Sequence, residues 1–265
     1  GTLVWSSAGK LWLASFEDPS AMIELSPVGM VAPQQPRFGD TGDHVLVLGG
    51  APGVATTVQL LAASGGGVSY DVGTPLLGAD PVSAEAGALH RAVVTRAAPQ
   101  NVMRSEVAVF DALTGTSSTT HDLLAPLGPP DFAGGNVAFL GAPPGCATCV
   151  SVYSIPLAGG SPRIVASNVS NPVSVRYSGA GYALIADASD RSGRAVWLAV
   201  NGEATEMSPP LVTDAFSVVG SSDGHLIVSA KDEKGNALWF YNGAKDRWHR
   251  LLDLAEPAMD IDWTR

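Results

Sequence analysis

"RYSGAGYALIADASDRSGRAVWLAV" spans residues 176–200. Tyr177 precedes a glycine turn, a short apolar run follows, and a charged turn from Asp190 to Gly193 leads into an alternating run around Trp197. Apolar residues at every second position suit a half-buried strand. Asp and Gly suit the turn between, one by bonding nearby backbone amides and the other by accepting a positive φ. The stretch therefore reads as two short strands joined by a polar reversal.

The same pattern returns along the whole chain. Alternating runs occur at "KLWLAS" (10–15), "TVQLLA" (57–62), "EVAVFD" (106–111), "SVYSIP" (151–156), "AVWLAV" (195–200) and "ALWFYN" (237–242). Their third residues, Trp12, Gln59, Ala108, Tyr153, Trp197 and Trp239, are spaced 42 to 49 residues apart. A second column, at the residue before each glycine-bearing turn, reads Phe38, Ala84, Phe132, Tyr177, Gly220 and Trp263, with spacings of 43 to 48. The last repeat is cut by the chain ends: "DIDWTR" stops at Arg265, and "GTLVWSSAG" at the start supplies the strand that belongs after it.

A repeat of about 40–50 residues holding roughly four short strands is the mark of a propeller blade. The sequence thus predicts an all-β, six-bladed propeller of four-stranded antiparallel blades, occupying residues 1–265 as a single domain. Residues 2–8 are expected to close the last blade as an outer strand beside 257–264, removing the open edge between the first and last blades. In this phasing the turn carrying Asp190 and Gly193 joins the outer strand of one blade to the inner strand of the next. "AKDEKGNALWF" (230–240) takes the same place one blade later.

"ADASDRSGRAVWLAVNGE" and "SSDGHLIVSAKDEKGNALWFYNG" resemble the repeats of TolB-like, WD-like six-bladed propellers, with a turn, a strand, an Asp-and-Gly loop and a further strand. The resemblance is good in the last three repeats. Earlier ones depart from it, as "AEAGAL" lacks both aromatic and Asp and "APGVATT" lacks the Asp loop. Such motifs imply the blade and carry function only by analogy.

Composition narrows the partners. The formal net charge is −10, with Lys10, Lys231, Lys234 and Lys245 scattered. That field repels nucleic acid and anionic membrane surfaces. The longest strongly apolar runs, "HVLVLGG" and "VAFLGA", are strand-sized, so no membrane insertion is expected. The sequence opens on Gly1 rather than Met, so the lack of a leader here says nothing about compartment.

No catalytic constellation emerges, and no cofactor or metal is expected. His44, His90 and His225 share one repeat position, the start of a strand read as outer, which would hold them apart; His121 and His249 fall in single repeats. The strands read as inner begin with Lys10, Thr57, Glu106, Ser151, Ala195 and Ala237, one carboxylate and one ammonium among small residues. Metal-assisted hydrolysis or glycoside cleavage needs several convergent ligands or two opposed carboxylates. The acidic pairs Asp187/Asp190, Asp232/Glu233 and Asp260/Asp262 read as hydrogen-bonded turns or solvated charge, weak Ca²⁺ sites being the alternative.

Four charges stand just before the second column: Arg37, Asp131, Arg176 and Asp262. With ring closure, opposite charges adjoin twice, so Asp131–Arg176 and Asp262–Arg37 are expected to be inter-blade ion pairs. Cys146 and Cys149 in "PPGCATCV" lack the further thiolates or imidazoles of a metal site, and a strand rather than a helix follows them. A loop-stapling disulfide in an oxidising compartment is the favoured reading, free thiols the alternative. The functional expectation is a monomeric, non-catalytic recognition module of an exported bacterial protein, in the periplasm or at the cell surface. Its partner would be a protein or glycan, bound on one face or at the channel mouth. An enzyme of hydrolase or lactonase type, or a gating propeller of a larger hydrolase, is the alternative.

Overall fold

A computed structural model describes residues 1–25, 33–38, 44–49, 57–62, 67–71, 76–82, 91–98, 101–111, 116–121, 125–126, 128–142, 146, 148–158, 160–179 and 181–264. Every strand in it pairs antiparallel with its sheet neighbours. The first sheet contains β1 (Thr2–Ser7), β2 (Lys10–Ser15) and β3 (Ile23–Leu25). The second contains β4 (Pro33–Phe38), β5 (His44–Gly49), β6 (Thr57–Ala62) and β7 (Gly67–Asp71). The third runs through β8 (Leu76–Val82), β9 (Arg91–Ala98), β10 (Asn101–Asp111) and β11 (Thr116–His121). The fourth is built from β12 (Ala125–Pro126), β13 (Asp131–Ala133), β14 (Asn136–Ala142), β15 (Ser151–Pro156) and β16 (Arg163–Ala166). The fifth takes β17 (Ser174–Ser178), β18 (Gly181–Asp187), β19 (Arg194–Val200) and β20 (Glu203–Glu206). The last takes β21 (Asp214–Gly220), β22 (Leu226–Asp232), β23 (Gly235–Asn242) and β24 (Arg247–Leu254). Finally β25 (Met259–Thr264) returns to the first sheet, giving the order β25-β1-β2-β3.

Strand periodicity explains how these sheets stack. Successive side chains point to opposite faces, so each sheet feeds two cores. On β18, Leu184 and Ala186 pack toward the fourth sheet with Leu140, Val152 and Trp197. The alternate residues Ala183 and Ile185 pack toward the last sheet with Val218, Leu226 and Val228. Four further clusters fill the remaining junctions: Leu46 with Leu76 and Val94, Val93 with Val137 and Phe139, Ile227 with Leu3 and Ile261, and Val4 with Val45 and Val47. Each fully buried aliphatic side chain contributes about 1.5–3 kcal/mol. Sheets joined face to face in sequence, the last seated on the first, make an all-β propeller.

Contacts between sheets show which strands face the axis. β4 lies against β25 and β8, β13 against β8 and β17, and β21 against β17 and β25. The axial strands are therefore β25, β4, β8, β13, β17 and β21, and the runs around Trp12, Trp197 and Trp239 are third strands counted from the axis. This corrects the phasing read from the repeat. Asp190–Gly193 closes the β18–β19 hairpin within one sheet, where Ala188 N–H donates to the Gly193 carbonyl at 3.0 Å. Gly193 has φ 100°, and a Cβ there would collide with the Thr213 carbonyl oxygen. Residues 2–7 do pair with the last strand, Leu3 opposite Trp263 and Val4 opposite Asp262. They form a second strand, however, while β25 takes the axial place. A further correction concerns strand number: the fourth sheet has five strands, because the short β13 pairs with β14 beside β12. Ala84 and His90 lie outside the described residues.

Candidate functional site

Axial strands carry the four charges singled out in the sequence. Four of these strands, β4, β8, β21 and β25, are bulged against their neighbours. A bulge bends a strand and re-aims its side chains. In β4 and β25 it coincides with left-handed backbone at equivalent residues, Gln35 (φ 52°) and Asp260 (φ 52°).

Arg176 Nη1 donates to Asp131 Oδ1 at 3.0 Å, with side chains 4% and 13% exposed. The other oxygen of Asp131 accepts the backbone N–H of Tyr177. The opposite junction repeats this arrangement: Asp262 Oδ2 accepts the Phe38 N–H at 2.7 Å, and Asp260 accepts the N–H of Gln35. Arg37, fully buried, donates from Nη1 to the Pro36 carbonyl at 2.7 Å. Its charge acts on Asp131, Asp260 and Asp262 alike. Of the two expected pairs, Asp131–Arg176 is in ion-pair contact, while at the other junction Asp262 holds the Phe38 amide and feels the charge of Arg37.

Electrostatics follow from burial. Desolvation pushes Asp262 up to about 6, against the opposing pull of Arg37 and of the Phe38 and Trp263 amides. Asp131 is likewise raised to about 6 by burial, with the Asp262 charge adding to it and the Tyr177 amide and Arg37 opposing. Asp260 is raised for the same first reason. Such carboxylates hold a proton in mildly acidic water. Their oxygens also carry backbone N–H groups of the next sheet, which makes them braces between sheets. Among the described residues no group of three or more His, Cys, Asp or Glu converges as metal ligands do.

Residues placed at the channel mouth by sequence phasing lie elsewhere. Glu106 sits opposite Arg96 on the neighbouring strand and pairs with it at 2.7 Å, both 6% exposed. Lys10 is on the surface, 2.8 Å from Glu24 of the adjoining edge strand. His44 begins β5 and His225 precedes β22, both second strands, in different sheets. His225 accepts the Gly243 N–H at Nδ1 (2.9 Å) and stacks on Trp263 at 6.5 Å, sealing the junction between last and first sheets. Of the acidic pairs, Asp187 accepts Asn171 Nδ2 at 2.7 Å, and Asp232 binds Arg250 Nε at 3.0 Å. Asp190 is exposed beside Arg191, whose guanidinium reaches Glu206 at 2.8 Å. Cys146 and Cys149 form a disulfide, Cα–Cα 5.3 Å, in the β14–β15 connection of the fourth sheet.

Sequence reasoning did not reach a cleft between the fourth and fifth sheets. It encloses about 700 Å³ and is lined by Asn136, Arg163, Ile164, Tyr177, Tyr182 and Asn201, among others. The Tyr182 hydroxyl and Ser154 Oγ lie 3.1 Å apart across it. Nothing in a repeat pattern marks such a cleft, because its walls come from two different repeats, Asn136–Val165 on one side and Tyr177–Gly202 on the other.

No family model matches the sequence, and no curated protein matches it. Solved structures do resemble it. TolB from Acinetobacter baumannii superposes with a TM-score of 0.71 at 13% identity, over 98% of this chain and 66% of that one. A putative TolB from Agrobacterium tumefaciens gives 0.69 at 11%, over 98% and 90%. A chain of the nidogen/laminin complex gives 0.69 at 13%, over 98% and 97%. The chain thus spans just under two thirds of the Acinetobacter protein. These likenesses establish the fold, an all-β propeller of the kind seen in TolB.

Proposed function

We propose that this chain is a non-catalytic recognition module: one six-bladed, TolB-like and WD-like propeller domain of an extracytoplasmic bacterial protein, monomeric, binding a protein partner. The carrying observation is the contrast between its two polar regions. Axial carboxylates are engaged with backbone N–H groups and guanidinium, while the cleft between the fourth and fifth sheets lies open with tyrosine, asparagine and arginine on its walls. Rigid concave surfaces with a few polar groups bind ligands. The Cys146–Cys149 disulfide supports an oxidising compartment. The nidogen/laminin complex, a chain of which shares the fold, supplies the analogy for a protein partner.

One observation favours a second reading, an enzyme. Asp131 and Asp262, both raised to about 6, are the kind of carboxylate that serves as a general acid or base. Cross-linking of the purified chain in an extracytoplasmic extract, with crosslinks mapped, tests the binding reading alongside a hydrolase, lyase and lactonase screen. Crosslinks at the cleft without turnover are expected. Turnover abolished by Asp131→Asn overturns the reading in favour of the enzyme.

A further inference from the structure

The edge of β16 offers something more specific. It is the last strand of the fourth sheet, and one bridge already extends it across the junction: Ala166 pairs in parallel with Gly202. Upstream, Arg163, Ile164 and Val165 line the open cleft, and Ile164 is 55% exposed. Away from β15, alternate N–H and C=O groups of an edge strand point outward and accept another strand. The opposite wall is formed by the edge-to-face Tyr177–Tyr182 pair, centroids 6.1 Å apart, and by the turn at Asn201 (φ 55°) and Gly202 (φ 95°).

Charge completes the site. Among the described residues Arg163 is the only charged side chain lining the cleft, on a chain of net charge −10. Other guanidiniums such as Arg96, Arg176, Arg191 and Arg250 face carboxylates. A ligand that satisfies both features needs a repeating backbone of donors and acceptors and a carboxylate beside it. An extended peptide has both; a saccharide lacks the strand repeat.

We propose that this cleft takes an extended, acidic segment of a partner protein as an added strand, parallel to β16, with a carboxylate of that segment on Arg163. The proposal rests on the recognition reading and names how the partner is held.

A fluorescein-labelled hexapeptide of alternating Val and Thr with one central Asp, and its Lys counterpart, titrated by anisotropy against the full chain, provide the test. The Asp peptide is expected to bind at least tenfold more tightly than the Lys peptide, and Arg163→Glu to reverse that preference, a result that misfolding does not produce. Amide exchange is expected to slow at 163–165 when the Asp peptide is bound. Absence of binding by the Asp peptide, or binding indifferent to Arg163→Glu, overturns the proposal. Displacement of the Asp peptide by an acidic oligosaccharide that binds more tightly also overturns it, while leaving the recognition reading intact. The enzyme screen decides that reading separately, because turnover through Asp131 leaves the peptide titration unaffected.

Discussion

Asp262 and Phe38 are joined across the junction of the first and second sheets, the carboxylate accepting the backbone N–H at 2.7 Å. Asp131 and Tyr177 are joined in the same way between the fourth and fifth sheets. In both cases an Arg precedes the residue whose amide is bonded, so charge and backbone are held together.

Replacing Asp262 separates the two roles. Asp262→Ala strands the Phe38 amide and removes a counter-charge from the buried Arg37, and is expected to cost about 2–4 kcal/mol. Asp262→Asn keeps an acceptor and sheds a poorly solvated charge, and is expected to change stability at pH 7 by less than about 1 kcal/mol. Urea unfolding of both variants checks the contrast.

The pH dependence has a definite sign. Asp131 and Asp262 titrate at about 6 in the folded chain against an ordinary 3.8. Between these values the folded state binds more protons than the unfolded state, so these groups' contribution to stability falls as pH rises from about 4 to 6. The melting temperature of the native chain is expected to show a steeper fall than that of Asp131→Asn/Asp262→Asn, which keeps only the raised Asp260.

Gly220 occupies the aromatic column because backbone passes too close for a side chain. A Cβ there would meet the Tyr177 carbonyl oxygen and Ser178. Gly220→Ala is expected to destabilise by about 1–3 kcal/mol through this overlap, measured by thermal or urea unfolding.

The disulfide closes a very short loop, so its effect on the unfolded chain is small. Cys146→Ser/Cys149→Ser is expected to lower stability by no more than about 2 kcal/mol. Thiol titration of the denatured, unreduced chain should find no free thiol.

The repeat length was legible because each sheet spends similar numbers of residues on similar strands. Its phase was not. A meander of four strands repeats equally well from any starting point, and the polar Asp190–Gly193 hairpin looks like a connection between sheets although β18 and β19 are direct partners. One phase error moved Lys10 and Glu106 to the axis and took Arg37 and Asp131 away from its centre. The four charges could be matched in pairs from neighbouring repeats. The backbone around them, bulged in β4 and β25 and left-handed at Gln35 and Asp260, is something side-chain type does not announce. β13, three residues long, carries too short an alternation to be distinguished from loop.

The first sheet draws its axial strand from the far end of the chain, and Ser6 Oγ donates to the carbonyl of Met259 across 253 residues. During synthesis, β1 to β3 leave the ribosome long before that strand exists. The other sheets are completed from contiguous segments, so they can assemble while translation proceeds. The first cannot, and its exposed β1 edge must wait for residues 259–264. Loop closure between Ser6 and Met259, 253 residues apart, then becomes the late, slow step of folding. During that interval the unpaired β1 edge is the part of the nascent chain most in need of a chaperone.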